Sequence, residues 1–397
     1  MAGIGVFGGS FNPPHLGHVH AVQAARALLD LDEVLVIPAA APPHKAMPEG
    51  SPDPQTRLEL TRLAMAELPW VRVLDLELRR TGKSYTSDTL RELSAACPDQ
   101  TLYLIMGTDM FLSLHTWHEP EVICALAVPV CLHRTLADGS DALLAQAERL
   151  AAQYGCAPIL LDNPVLELSS TTTRKLLALR GGAACLPPAV WQAVLDRGLY
   201  GLCEDLTGLS YPQLEAQALK RYDERRVPHA LGVVQAAREL AGRWGASPED
   251  AARAAVLHDV TKALRGPEQL QLSQAYGIVN APFDEAHPSL LHAVTGAEAA
   301  RTVFGEPEHI CQAIRWHTTG KPGMTTLEKI IYLADYIEPN RSFPGLDAVR
   351  QAAETDLNLA LELAMEGSLR DLARRGIEPS GLTAQALSAL RAERNIV

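Results

Sequence analysis

Basic charge is scarce in these 397 residues: 35 Lys and Arg stand against 47 Asp and Glu, a formal net charge of −12. A chain without a basic excess is not a general nucleic-acid binder. Small anionic ligands stay open, because helix ends, metals and a few cations act locally whatever the overall field. Paired cysteine is missing too. Cys97, Cys124, Cys131, Cys156, Cys185, Cys203 and Cys311 are scattered without a Cys-x-x-Cys, which points away from a zinc ribbon or a disulfide framework and fits reduced thiols. There is no apolar run of membrane-spanning length and no basic-then-apolar leader. The expectation is a soluble, cytoplasmic chain with neither a membrane nor a nucleic-acid partner.

With 47% hydrophobic and 21% charged residues, the chain has an ordinary globular composition and is long enough for two cores. Short apolar runs at Ile4–Phe7, Glu33–Pro38, Val71–Leu78, Thr101–Met106, Val128–Leu132 and Pro158–Leu161 alternate with helical patterns such as Arg57–Leu68 and Ser87–Ala96. That alternation predicts an α/β doubly wound parallel sheet, Rossmann-like, over residues 1–201. After Tyr211 strand signals nearly vanish, and residues 202–397 read as an all-α domain. Leu202–Ser210 is the expected linker and is not of low complexity.

The first apolar run meets Gly8-Gly9-Ser10-Phe11-Asn12-Pro13-Pro14-His15-Leu16-Gly17-His18. Glycine lets backbone amides approach a phosphate, and the helix beginning near Gly17 aims its unpaired N–H groups and positive dipole end at the same place. His15 and His18, three residues apart, share one face of the first turn. Later, Ser169-Ser170-Thr171-Thr172-Thr173-Arg174 reads as a hydroxyl-capped helix start followed by a guanidinium, a second phosphate cradle. Pro42-Pro43-His44-Lys45 and Gly107-Thr108-Asp109 follow strands two and four, where ligands of such sheets sit.

These motifs resemble the His-x-Gly-His nucleotidyltransferases, and nicotinate-nucleotide adenylyltransferases most closely. Ser84-Tyr85-Thr86-Ser87-Asp88-Thr89, Met106-Gly107-Thr108-Asp109-Met110-Phe111 and Trp117 fall in the order used by that family. The resemblance implies in-line attack of the nicotinate mononucleotide phosphate on the α-phosphorus of ATP, with release of pyrophosphate. Positioning and charge stabilisation dominate such a reaction. Gly8, Gly9, Ser10, Phe11, His15, His18, Ser170, Thr171 and Arg174 would bind ATP. His15, His18, Lys45 and Arg174 would carry catalysis on phosphates bridged by Mg²⁺. His44, Lys45, Tyr85, Thr86, Asp109, Trp117 and Arg134 would form the acceptor pocket, the Trp117 indole stacking on the pyridine ring; taken singly, Trp117 reads as a packing residue. Where the family has Arg-Pro-Gly, this chain has Arg134-Thr135-Leu136. Residue types leave nicotinamide mononucleotide open as an acceptor.

In the second half, Ser247-Pro248-Glu249-Asp250 starts a helix that runs to His258-Asp259. With His229 upstream and Asp335 downstream on another apolar helix, this is the ligand order of an HD-domain phosphohydrolase. Imidazole and carboxylate donors together suit a borderline divalent metal such as Fe, Mn, Co or Zn. Arg226-Val227-Pro228-His229, Leu257-His258-Asp259-Val260-Thr261-Lys262, His292-Ala293-Val294-Thr295-Gly296-Ala297, His317-Thr318-Thr319-Gly320 and Tyr332-Leu333-Ala334-Asp335-Tyr336-Ile337-Glu338-Pro339-Asn340-Arg341 resemble the bacterial HD-domain family that cleaves diadenosine tetraphosphate symmetrically into two ADP. The resemblance implies His229, His258, Asp259 and Asp335 as ligands of Fe or Mn, with Asp259 essential to catalysis. It assigns Arg226, Lys262, His292, His317, Thr318 and Arg341 to the nucleotide phosphates, the two histidines alternatively to a second metal. Water acidified by the cation would attack phosphorus. Thr261 stands where the family has an apolar residue.

The expectation is thus a bifunctional enzyme of nucleotide metabolism, compatible with a homo-oligomer. Two alternatives stay open for the second half: a different substrate, such as a guanosine polyphosphate or deoxynucleotide, and a nucleotide-sensing module without turnover.

Overall fold

The computed structural model describes residues 3–42, 46–133, 140–279 and 287–395. The chain forms two compact units, 1–178 with 182–203, and 179–181 with 204–397.

The first unit is built on six parallel strands: β1 (Gly3–Gly9), β2 (Glu33–Pro38), β3 (Val71–Val73), β4 (Thr101–Gly107), β5 (Val128–Leu132) and β6 (Ile159–Leu161). Their order is β3-β2-β1-β4-β5-β6, with Ile4 beside Glu33 on one flank of β1 and Leu102 on the other. Successive residues of β2 bury on opposite faces. Leu35 and Ile37 join Val6, Leu104 and Phe111, while Val34 and Val36 join Val22, Ala25, Ile105 and Val130. Each fully buried aliphatic side chain is worth about 1.5–3 kcal/mol over exposure, and a strand covered on both faces must be apolar throughout. The α/β doubly wound architecture is as the apolar runs imply. The run expected over Val71–Leu78 is shorter as a strand: β3 ends at Val73, and past Leu74 the chain turns, with Leu78 and Arg79 donating back to Asp75. That turn carries the buried carboxyl of Glu77.

The strand order reverses between β1 and β4, which leaves a crevice beyond their carboxyl ends. Gly8 and Gly9 lie at the end of β1, and the helix Thr108–Ser113 begins directly after β4.

In the second unit the described residues include helices and no strand. Helix Val227–Trp244 packs against helices Pro248–Leu257 and Thr326–Ile337. Ala230, Ala237, Ala251, Ala252, Ala254, Ala255 and Ala334 are fully buried there, and small side chains bring the axes close. Arg253 fastens the outer side of this layer through a bidentate pair with the buried Glu306. No helix among the described residues is long and apolar enough to cross a membrane.

Candidate functional sites: a phosphate loop and a histidine-aspartate centre

In the first unit, His15 is the N-cap of helix Leu16–Leu29, with extended backbone geometry. Its own N–H donates to Nδ1 of His18 at 3.1 Å, so neutral His18 carries its proton on Nε2. The two imidazole centroids are 3.7 Å apart, and the Phe11 ring lies 5.0 Å from that of His18. Gly17 makes this contact fit: a Cβ there would stand 3.0 Å from the His15 ring and 3.3 Å from Leu168. Gly9 serves in the same way, since its Cβ would meet the Phe11 ring at 3.2 Å, whereas Gly8 faces open space. Phe11 is buried and holds φ +44°, a conformation that costs a non-glycine residue energy and is found where neighbours impose it.

The second cradle meets the first. Ser169 Oγ accepts the Thr172 N–H at 3.1 Å, the N-cap contact of helix Ser170–Ala178. Ser170 does not cap: its hydroxyl donates to the Pro13 carbonyl at 3.0 Å. Arg174 Nη1 donates to the Asn12 carbonyl at 2.6 Å, and burial lowers its guanidinium pKa. From behind, Arg57, 1% exposed, donates to the carbonyls of Ser10 (2.6 Å), Ala39 (2.8 Å) and Ala40 (3.1 Å). The carbonyls of Ser10, Asn12 and Pro13 are thereby all engaged by side-chain donors. Arg57 belongs to none of the sequence motifs. The one signal was a cation among Leu58, Leu60, Thr61 and Ala64 on the buried stripe of helix Pro54–Met65.

Of the residues expected on the acceptor side, Tyr85 packs on His118, the neighbour of Trp117 in sequence, with ring centroids 4.2 Å apart and the planes tilted by 35°. Ser84 N–H donates to the Ala41 carbonyl after β2, so three loops converge here. Thr86 opens helix Thr86–Ala96 and Asp109 the exposed first turn after β4. Trp117 is half-buried against the core and donates to Ser113 Oγ at 3.3 Å. His44, Lys45 and Arg134 lie outside the described residues.

In the second unit, His229, His258 and Asp335 offer donor atoms within 4.8 Å of one another, as do His258, Asp259 and His317. The four expected ligands come from helices Val227–Trp244, Pro248–Leu257 with its end, and Thr326–Ile337. In three of the imidazoles Nδ1 is tied outward: His258 to the Ala255 carbonyl at 2.7 Å, His317 to the Ile314 carbonyl at 2.6 Å, and His229 to Glu338 Oε1 at 3.2 Å. A carbonyl or carboxylate accepts, so Nδ1 holds the proton and Nε2 presents a lone pair inward. Nε2 of His229 and of His258 are buried without a hydrogen-bond partner, although His229 Nε2 lies 3.3 Å from Asp335 Oδ1 and His258 Nε2 3.3 Å from Asp259 Oδ2. Buried lone pairs converging on two carboxylates fit a divalent cation.

Asp259 faces both ways, with Oδ1 3.2 Å from His292 Nε2 and 3.8 Å from His317 Nε2. Burial opposes charge on Asp335, yet the His229 ring 3.3 Å away and the Arg341 guanidinium hold its carboxyl well below the usual range. Burial, then the neighbouring His258, pushes His317 down to about 4, which keeps its imidazole neutral at pH 7. Arg226 pairs with Asp259, and Arg341 with Asp335 at 2.5 Å. The Lys262 ammonium lies 3.0 Å from His292 Nε2. Thr318 is half-buried beside His317. Thr261, the departure from the family pattern, donates to the His292 carbonyl at 3.0 Å and meets Thr295 Oγ1 at 2.9 Å, so its buried hydroxyl is satisfied. Sequence reading gave no role to Glu338 or Tyr222, whose hydroxyl oxygen accepts the Asp259 N–H at 3.1 Å.

Known proteins divide along the same line. The cytidylyltransferase-like family matches residues 6–176 and the HD-domain family residues 226–340. A probable nicotinate-nucleotide adenylyltransferase of Citrifermentans bemidjiense is 38% identical over 50% of this chain and 97% of its own length. The symmetrical bis(5'-nucleosyl)-tetraphosphatase of Bacillus subtilis is 46% identical over 37% of this chain and 78% of its own length. A solved "predicted HD superfamily hydrolase involved in NAD metabolism" of Clostridium acetobutylicum is 35% identical, covering 47% of this chain and 98% of that one, with a TM-score of 0.45. Through its first half the chain belongs to the nicotinate-nucleotide adenylyltransferase family of cytidylyltransferase-like proteins, and through its second to the HD-domain family that includes the symmetrical tetraphosphatases.

Proposed function

We propose that the chain is a bifunctional enzyme. Its first half transfers the adenylyl group of ATP to nicotinate mononucleotide, giving nicotinate adenine dinucleotide and pyrophosphate. Its second half hydrolyses diadenosine tetraphosphate to two ADP. The observation that carries the first reading is the His15–His18 pair, glycine-spaced, beneath a loop whose carbonyls are held by Arg57, Ser170 and Arg174. The second rests on imidazole lone pairs turned toward Asp259 and Asp335.

For adenylyl transfer, ATP arrives as its Mg²⁺ complex. An oxygen of the mononucleotide phosphate bonds to the α-phosphorus as the bond to the bridging oxygen of the β-phosphate breaks, and pyrophosphate leaves with that electron pair. The attacking oxygen is already anionic, so no protein base is needed. His18 donates from Nε2 to a phosphate oxygen, and His15, Lys45 and Arg174 add charge around the same group. Gly8, Gly9, Ser10 and Phe11 present backbone, and Ser170 and Thr171 the second helix start. Tyr85, Thr86, Asp109 and Trp117, with His44 and Arg134, hold the mononucleotide.

In the second half His229, His258, Asp259 and Asp335 would hold the cation, and N/O donors of this kind suit Fe or Mn. When bound, the cation supplies Lewis acidity toward phosphate and acidifies water. His292, Lys262, Arg226, Arg341 and Thr318 meet the phosphate oxygens, where two guanidinium groups and an ammonium offset the charge of a tetraphosphate, while His317, whose Nε2 presents a lone pair, would serve a second cation beside His258 and Asp259.

Two assays test the proposal. With ATP, Mg²⁺ and nicotinate mononucleotide the chain should release pyrophosphate and the dinucleotide; a stronger response to nicotinamide mononucleotide would overturn the acceptor. With diadenosine tetraphosphate and Mn²⁺ or Fe²⁺, ADP should be the sole product. AMP with ATP, or no cleavage, would overturn the second half.

A further inference from the structure

Glu338 follows helix Thr326–Ile337, three residues beyond Asp335, and is 2% exposed. A buried carboxylate needs partners for both oxygens. Oε1 lies 3.2 Å from His229 Nδ1. Oε2 accepts two donors, the Asn340 backbone N–H at 2.7 Å and its Nδ2 at 3.0 Å. Asn340 Nδ2 also reaches the Pro228 carbonyl at 3.0 Å, in the residue before His229. On the facing helix, Gly232 leaves the space: a Cβ there would collide with Glu338 Oε2 and stand 2.9 Å from Asn340 Nδ2. Helix Val227–Trp244 thus carries the imidazole and, one turn on, the gap its buried carboxylate occupies.

We propose that Glu338, seated in the gap at Gly232 and oriented by Asn340, is the positioning residue that sets the tautomer of His229 for cation binding. The proposal rests on the reading that this centre holds a divalent cation. Because both Asn340 groups donate to Oε2, that oxygen is committed as an acceptor, and Oε1 is left to accept from His229 Nδ1–H. The proton is then kept off Nε2, the atom turned toward Asp335 and Asp259.

Glu338→Gln is the informative variant because it nearly preserves shape. Its single oxygen must satisfy the two Asn340 donors, which turns the amide NH₂ toward His229 Nδ1. That nitrogen then has to accept, and the proton moves to Nε2. In the other orientation the NH₂ meets two N–H donors. Gly232→Ala is the second variant: it keeps the carboxylate but drives it from its seat.

The test is calorimetric titration of Mn²⁺ into the metal-free full chain, with the melting temperature of the metal-free protein measured alongside. Each variant should bind Mn²⁺ about 10- to 100-fold more weakly than the parent chain, in excess of any change in metal-free melting. If both variants bind Mn²⁺ as the parent does, or melt earlier with unchanged affinity, Glu338 is structural only and the proposal is overturned. If the parent chain itself takes up no Mn²⁺, the cation reading falls and the proposal with it.

Discussion

Gly17 and Glu77 show how single residues here decide between stability and chemistry. Gly17 sits in the first turn of helix Leu16–Leu29, where alanine has the better helix propensity, yet a Cβ would press on the His15 ring at 3.0 Å. Gly17→Ala should therefore keep or slightly raise the melting temperature while slowing dinucleotide formation roughly tenfold to a hundredfold; full activity would mean that the ring contact does not matter. Glu77 is buried, and burial pushes its carboxyl above the usual 4.5 although the hydroxyls of Thr89 and Ser84 oppose the shift. The folded chain thus keeps this proton to higher pH than the unfolded chain does. The stabilising contribution is complete below pH 4.5 and is lost as pH rises through the raised value. Glu77→Gln, which cannot ionise, should gain on the parent chain in thermal melts as pH is raised from 4.5 toward 8. A pH-independent difference would contradict this.

At the scale of elements, helix ends do much of the positioning. Helix Thr326–Ile337 begins with a capping box in which Thr325 Oγ1 accepts the Glu328 N–H at 3.3 Å and Glu328 Oε2 accepts the Thr325 N–H at 2.7 Å. Its opposite end carries Asp335 and leads into Glu338. Thr325→Ala should cost about 1 kcal/mol in denaturant unfolding and leave Mn²⁺ affinity unaltered, because the cap lies more than two turns from the carboxylates. Such helix starts were legible in the sequence: Ser247-Pro248 opens one with the Asp250 N–H donating to Ser247 Oγ at 3.2 Å. The exact capping atom after β6 was not. Ser169 caps while Ser170 turns to Pro13, 157 residues away, and nothing local to a run of hydroxyls separates those two fates.

For the whole molecule, the two proposed chemistries draw on different side chains, so each should be removable alone. In the full chain, His18→Ala should reduce adenylyl transfer by at least about a hundredfold while diadenosine tetraphosphate hydrolysis continues. Asp259→Asn should do the reverse. Parallel assays of both reactions on each variant check this, and simultaneous loss in either would show that the activities are not separable.

The order of apolar runs and the local motifs already specified an α/β half followed by a helical half, because periodicity and glycine or histidine spacing are properties of neighbouring residues. The same spacing marked His15, His18, His258 and Asp259. Tertiary structure alone decided which groups stand behind them. Arg57 reaches Ser10 from 47 positions away and Glu338 reaches His229 from 109, and such partners are chosen by how helices and loops pack. A buried donor must find an acceptor wherever the fold brings one, which is why Arg57 belongs to no motif and why Glu338, although it lies within one, could not be matched to His229 from the sequence.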